Sequence, residues 1–332
     1  MINQRLFDWY KIDTNKNLGI RNHCPRPFDT ILIDKNGSCY ACECTAWLPQ
    51  SIGNLQIKTL DEIICSPMHE HLQESIIDGT YRYCNENQCS YIRANIVDHA
   101  TTSVTYIEHL RLAIDDSCNL RCPSCRTGLI FEKEGSRFNK RIEFADKINV
   151  WLQNVIHPCT VHIGSDGDPF ASHVYRYFME HTPDSDQIRY SILTNSLLVD
   201  EFHNKIPHVV KRLTKLGVSV DGATKNTYEQ LRLGGSWEKI QYNLNFIKEL
   251  KQQFNFKFEL HMVVQKDNWK EMPTMLELAD QFNVDIVYFN EIKDWNTGQD
   301  IKEVRPPGDS NEYNNIIKQV NQHPKAKTWA LL

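Results

Sequence analysis

The chain has 332 residues, with 37 Lys and Arg against 42 Asp and Glu and a formal net charge of −5. That length holds one large domain plus a smaller one, and the slightly acidic balance, without interleaved basic and aromatic residues, argues against nucleic acid as the partner. No segment approaches the roughly 18 uninterrupted apolar residues of a membrane span, and Met1-Ile2-Asn3-Gln4-Arg5-Leu6-Phe7 has no signal-peptide core, so no membrane association and a cytoplasmic protein are expected.

Of the eleven cysteines, seven lie between Cys24 and Cys89, three between Cys118 and Cys125, and Cys159 stands alone. An odd count in ligand-like spacings points to thiolate metal ligation in a reducing compartment rather than to disulfides. The same usage divides the chain into a cysteine-rich domain over 1–100, a strand–helix domain over 101–300 and a tail over 301–332 without an assignable role. In the first, Cys24-Pro25 precedes Ile31-Leu32-Ile33-Asp34, a hairpin turn at Lys35-Asn36-Gly37-Ser38, and Cys39-Tyr40-Ala41-Cys42-Glu43-Cys44. Leu60-Asp61-Glu62-Ile63-Ile64 and the pair in Tyr83-Cys84-Asn85-Glu86-Asn87-Gln88-Cys89 follow. Four thiolates from such segments can enclose one metal centre, either a 4Fe-4S cluster or a structural zinc. Cys39 and Cys44 compete with Cys42 for ligation, and Cys65, in a helical segment, is expected to be a packed thiol.

Residues 104–114 read as a strand running into Cys118-Asn119-Leu120-Arg121-Cys122-Pro123-Ser124-Cys125. The spacing C-x-x-x-C-x-x-C holds an iron–sulfur cube by three corners, and the unligated iron can bind a small molecule. A helix follows with Ile148, Trp151, Leu152 and Val155, then a strand at Val161-His162-Ile163 and a helix with Val174, Tyr175, Phe178 and Met179 on one face. Strands are read at 188–193 and 218–220. Ser236 is placed as the N-cap of a long helix in which Ile240, Leu244, Ile247 and Phe254 keep a 3.6-residue period. A strand over 258–264, a helix with Met275, Leu278, Ala279 and Phe282, and a strand over 286–289 complete the alternation. Six strands alternating with helices predict a parallel sheet, with ligands gathering at the carboxyl ends of its strands.

These motifs, taken together, resemble the radical SAM superfamily, the one departure near the cluster being Ser124 where the family has an aromatic residue. The resemblance implies an α/β fold, a partial (β/α)6 TIM-like barrel, and covers roughly Thr105 to Asn296. It implies that Cys118, Cys122 and Cys125 hold a 4Fe-4S cluster whose open iron chelates S-adenosylmethionine. One electron, delivered by a reductant such as flavodoxin or ferredoxin, then splits the sulfonium to a 5′-deoxyadenosyl radical. Gly164-Ser165-Asp166-Gly167-Asp168-Pro169 resembles the family's glycine-rich acidic turn, with Asp166, Gly167 and Asp168 as contacts to the methionine ammonium. Thr194 and Asn195 resemble residues near the adenosyl part. Val218-Ser219-Val220-Asp221-Gly222 and Tyr228-Glu229-Gln230-Leu231-Arg232-Leu233-Gly234-Gly235 resemble stretches of the subgroup with SPASM-type auxiliary domains. They imply roles for Ser219, Asp221 and, at the ligand's carboxylate, Arg232. Val263-Val264-Gln265-Lys266-Asp267-Asn268 continues the pattern.

Cys24 with Gly37-x-x-x-x-Cys42, and the later pair Cys84 and Cys89, resemble an abbreviated SPASM-like domain that precedes the barrel, which implies a second 4Fe-4S cluster held by Cys24, Cys42, Cys84 and Cys89. Relatives of this kind modify peptides or proteins, or dehydrogenate and epimerise small molecules such as sugars. The expectation is a hydrogen-abstracting enzyme acting on a peptide or protein, the alternative a carbohydrate or other small-molecule dehydrogenase or epimerase. A non-catalytic iron–sulfur or zinc-binding protein would not need the S-adenosylmethionine residues. Cys159 is the candidate hydrogen donor that an epimerase would require, although its place before strand 161–163 favours a buried thiol.

Overall fold

The computed structural model describes residues 16–20, 24–94, 106–293, 300–308 and 310–329. Chain contacts divide it into two interleaved units: 1–115, 134–166 and 181–189 form the first, and 116–133, 167–180 and 190–332 the second. Val104 and Thr105, expected to open the first barrel strand, and Asn296, at the end of the resemblance, lie outside the described residues.

The first unit is built on β1 (Thr30–Asp34), β2 (Ser38–Tyr40), β3 (Ser51–Asn54), β4 (His109–Ala113) and β5 (Cys159–Ile163), hydrogen-bonded in the order β5-β4-β1-β2-β3. β1 runs parallel to β4, from Thr30 opposite His109 to Asp34 opposite Ala113, and β4 runs parallel to β5. The cysteine-rich segment thus shares a sheet with the strand–helix region, because Ile31 and Ile33 are as apolar as Leu110 and Leu112 beside them and all four are buried. Burying each such side chain stabilises by about 1.5–3 kcal/mol.

The β1–β2 hairpin turns because Asp34 Oδ1 accepts the amides of Asn36 and Ser38, both at 2.9 Å, while Gly37 adopts φ +80°. Gly37 also has to be small, since a Cβ there would stand 2.7 Å from the Phe144 ring. That ring belongs to the longer of the unit's two main helices, α1 (Pro67–Ile77) and α2 (Ser136–Gln153). α2 buries Phe144, Ala145, Ile148 and Leu152, but Trp151 lies on its outer side, donating from Nε1 to Asp61, and Val155 falls beyond its end.

The second unit contains α3 (His173–His181), β6 (Ile188–Thr194), β7 (Leu213–Ser219), α4 (Lys225–Leu231), α5 (Trp237–Phe254), β8 (Lys257–Val264), α6 (Met272–Gln281), β9 (Ile286–Glu291), α7 (Asn311–Asn321) and β10 (Ala326–Trp329). Its strand order is β10-β9-β8-β7-β6, and every pairing is parallel. The six expected strands are β4 to β9, and the α/β class holds in both units. β7 begins five residues earlier than read, at Leu213, and takes in Gly217. It is a strand residue whose missing side chain admits Leu193 and His261, each within 3.0 Å of where a Cβ would be. The tail, to which no role could be assigned, supplies α7 and β10, with Tyr313, Ile317 and Val320 buried. Ser236 caps α5 as predicted, accepting from the Lys239 amide at 3.2 Å, and Asn255 ends it in the left-handed region at φ +50°. Among the described residues, no helix is long and apolar enough to cross a membrane.

Candidate functional site

The loop from Cys118 to Cys125 belongs wholly to the second unit, as do Gly167, Asp168 and the later strand ends that the sequence points to, whereas Asp166 belongs to the first. It is fastened at both ends of its course: the Cys118 amide donates to Ile130 O at 2.8 Å, and the Arg121 amide to Leu233 O at 3.1 Å. Its last turn closes through the Cys125 and Arg126 amides, which both donate to Cys122 O. Cys118 and Cys122 are buried and Cys125 is exposed.

Each of the three sulfurs faces a donor. Cys118 Sγ accepts from the Leu120 amide at 3.4 Å and the Asn195 side-chain amide at 3.6 Å, Cys122 Sγ from Arg232 Nη1 at 3.9 Å, and Cys125 Sγ from Arg126 Nη2 at 3.5 Å. Burial, followed by the charge of Asp168, pushes the Cys118 thiol up to about 11, and burial also raises Cys122 against the pull of Arg232. Three soft donors on one short loop, two of them buried where a free thiolate is unfavourable and all met by N–H groups, suit a cationic iron centre that takes up the thiolate charge.

The loop and the Arg-x-Gly-Gly stretch are physically one piece. Gly234, at φ +94°, lies with its Cα beside the Leu120 side chain and Asn119 O, and Gly235 leaves room for the Tyr228 ring and Arg232 O. Arg232 Nε meets Asp221 Oδ2 at 2.8 Å, and Asp221 Oδ1 accepts the Val263 amide at 2.9 Å. Gly222 is required by close approach, because a Cβ would stand 2.4 Å from the Tyr228 amide nitrogen. Asn268 is buried and its side-chain amide reaches Asp221 O and Val263 O, both at 2.8 Å.

Asp168 is only 2 % exposed, and its carboxylate is filled by the protein itself. Oδ2 accepts Thr194 Oγ1 and the Asn195 amide, both at 2.7 Å, and Oδ1 accepts the amides of Phe170 and Ala171, both at 3.1 Å. Burial raises its pKa while those four donors oppose the rise. These bonds let Asp168 brace the end of β6. Arg232, expected at a ligand carboxylate, is paired with Asp221 and turned toward Cys122. Thr194 is held by Asp168, and Asn195 reaches the cysteine loop through Asn119 Oδ1 at 2.8 Å. Ser219 ends β7 half-buried, Asp166 is half-buried, and Gly167 takes φ +69°.

In the first unit, Cys24, Cys42, Cys84 and Cys89 line one cavity together with Arg26, Trp47, Tyr81 and Tyr91. Cys39 and Cys44 do not line it. Cys39 points elsewhere, its thiol toward Gly37 O at 3.7 Å. Burial pushes Cys24 up to about 11 and raises Cys42, Cys84 and Cys89 as well, the cost that four clustered thiols meet without a metal. An all-thiol donor set of this kind fits an iron–sulfur cluster or zinc. Cys65, expected to be packed, is exposed, because the helix Leu60–Ile64 buries Leu60 and Ile63 and ends just before it. Cys159 is buried at the amino end of β5, four residues or about 13 Å before the end of that strand, and burial raises its pKa to about 12.

Sequence reasoning missed Arg126 and Glu271. Arg126 directly follows the third cysteine, a position at which a cation was legible. Glu271, which accepts the Ala223 amide at 2.6 Å and the Thr224 amide at 3.2 Å, carried no signal, being 48 residues from the turn it holds.

No protein-family model matches the chain. An uncharacterised protein of Archaeoglobus fulgidus is 23 % identical over 208 residues, covering 62 % of this chain and 46 % of that protein. Among solved structures, Streptococcus suis SuiB bound to S-adenosylmethionine is 12 % identical with a TM-score of 0.47, covering 67 % of this chain and 50 % of SuiB. A radical SAM methyltransferase from Sphaerobacter thermophilus is 14 % identical with a TM-score of 0.44, covering 64 % and 63 %. The chain thus spans about half the length of the first two and under two thirds of the third.

Proposed function

We propose that the chain is a radical SAM enzyme that abstracts a hydrogen atom from a carbon of a peptide or protein substrate. The observation that carries this reading is the cysteine loop, with three sulfurs each met by a donor and the Arg232-x-Gly-Gly stretch hydrogen-bonded to its backbone. When bound, a 4Fe-4S cluster with S-adenosylmethionine supplies the 5′-deoxyadenosyl radical. The chain's own part is to hold that chemistry in place. Cys118, Cys122 and Cys125 present three ligands, and Asn195, Arg232 and Arg126 direct N–H groups at their sulfurs, which tunes the potential of such a centre. Asp168, Asp221 and Asn268 fix the strand ends around it. The peptide substrate class rests on the subgroup resemblance of Val218–Gly235.

Cys24, Cys42, Cys84 and Cys89 hold a second cluster in this reading. Its four corners are all thiolate, which leaves electron relay or structural support as its task, and a flavodoxin or ferredoxin supplies electrons to the first.

The test is anaerobic incubation of the reconstituted protein with S-adenosylmethionine and dithionite, followed by detection of 5′-deoxyadenosine. Formation by the wild type and loss in Cys118→Ala, Cys122→Ala and Cys125→Ala are expected; equal formation in these variants would sink the reading. Iron should number about eight per chain in the wild type and about four in Cys24→Ala/Cys84→Ala, on four irons per cluster. About four irons and one zinc in the wild type would replace the second cluster by a structural metal.

A further inference from the structure

The sheet of the second unit has two unlike faces. One is apolar and fully buried, with Leu216, Val218, Leu260, Met262, Val287 and Phe289 in contact with the layer that includes α5 and α6. The other, one residue out of phase, is largely polar: Lys215, Gly217 and Ser219 on β7, Glu259 and His261 on β8, Tyr288 and Asn290 on β9, with Val263 and Ile286 beside them. Most of these stay half-exposed, but Glu259 is only 3 % exposed. A carboxylate that deep is unfavourable unless it is matched. Its partners are Lys215 Nζ at 3.4 Å and His261 Nε2 at 3.3 Å.

The imidazole is set with some care. Its ring stacks on Tyr288, with centroids 4.8 Å apart and planes 24° from parallel, and its place is kept open by Gly217, where a Cβ would stand 3.0 Å from Nε2. In the neutral imidazole, with Glu259 accepting at Nε2, the ring proton lies there and Nδ1 is left as the acceptor. Ser219, His261 and Tyr288 stand opposite one another across three strands, and the Val220 amide donates to His261 O. The row therefore meets the Ser219-x-Asp221-Gly222 turn, whose Asp221 pairs with the Arg232 that faces Cys122. Lys215 and Glu259 cancel in charge, so the wall is neutral, rich in hydrogen-bonding groups and built around one acceptor nitrogen.

We propose that this row is the substrate-contacting wall of the reaction centre, with His261 Nδ1 accepting a hydrogen bond from a hydroxyl on the reacting carbon of the substrate. It rests on the radical SAM reading above. A neutral hydroxyl suits it better than an ion, since Lys215 already neutralises Glu259, and Ser219, Tyr288 and Asn290 offer further neutral partners.

Two carbon-deuterated probes separate the sources of such a hydroxyl: perdeuterated glycerol for a small polyol and N-acetylserine amide for a peptide. Each is incubated at high concentration with the reconstituted full chain, S-adenosylmethionine and dithionite, and the fraction of 5′-deoxyadenosine carrying deuterium is read by mass spectrometry. Deuterium transfer from either probe is expected, with the labelled fraction at least tenfold lower in His261→Ala and His261→Asn and lowered in Glu259→Gln. Val287→Ala, on the apolar face, should keep the wild-type fraction. No transfer from either probe, or an equal fraction in the His261 variants, would overturn the assignment. A wild type that forms no 5′-deoxyadenosine at all would instead remove the radical SAM reading and this wall with it.

Discussion

Replacing Asp168 by Asn keeps its shape and removes its charge, and the structure allows the consequence to be worked out. Four donors converge on the carboxylate, two on each oxygen. A carboxamide has one acceptor oxygen. If that oxygen stays with the Phe170 and Ala171 amides, the new NH2 group faces Thr194 and the Asn195 amide. The Thr194 hydroxyl can turn to accept; the Asn195 N–H cannot. One buried N–H left unmade costs about 1–3 kcal/mol, and losing charge-assisted bonds at the same oxygen costs about 1.5–3 kcal/mol. Removing a buried charge gives part of this back, so a net loss of about 2–4 kcal/mol is expected for Asp168→Asn and more for Asp168→Ala. Urea denaturation followed by circular dichroism measures it. A loss below about 1 kcal/mol in Asp168→Asn would refute the bracing role and return this carboxylate to the ligand, because a brace with four donors cannot be that cheap to break.

Arg232→Met leaves Asp221 buried without its cation and should lower stability by about 3–5 kcal/mol, read in the same denaturation experiment, while Arg232→Lys should lose less. Gly222→Ala should cost about 1–3 kcal/mol or more through collision with the backbone at Tyr228, seen as a fall in melting temperature. Ser236→Ala removes the acceptor for the Lys239 amide and should cost about 1 kcal/mol, with amide exchange faster in the first turn of α5.

The cysteine loop was legible because ligand spacing is a local property, written in eight consecutive residues. The strands β6, β8 and β9 were legible for the same reason, each being a short run rich in aromatic and β-branched residues. What could not be read is what depends on partners far along the chain. Asp168 looked like an open carboxylate because nothing near it announces that Thr194 and Asn195, 26 and 27 residues on, fill it. Gly217 in β7 answers the bulk of His261 on the neighbouring strand, a fit that its own neighbours in sequence do not announce. That Ile31 and Ile33 choose β4 as their neighbour is likewise a choice that no local pattern records. Glu259 and His261, two residues apart in an otherwise apolar strand, did leave a trace, the period of a two-faced sheet.

The parallel pairing of β1 with β4 bears on how the amino-terminal segment could ever be removed. Excising residues 1–100 as though they were a detachable module would strip β4 of its partner along all five residues from His109 to Ala113. The backbone N–H and C=O groups along that side would become an open edge, able to template pairing with another chain. A shortened protein of that kind is expected to aggregate rather than to report on a barrel without its auxiliary cysteines. The role of those cysteines is better probed one thiol at a time, with the strand left in place.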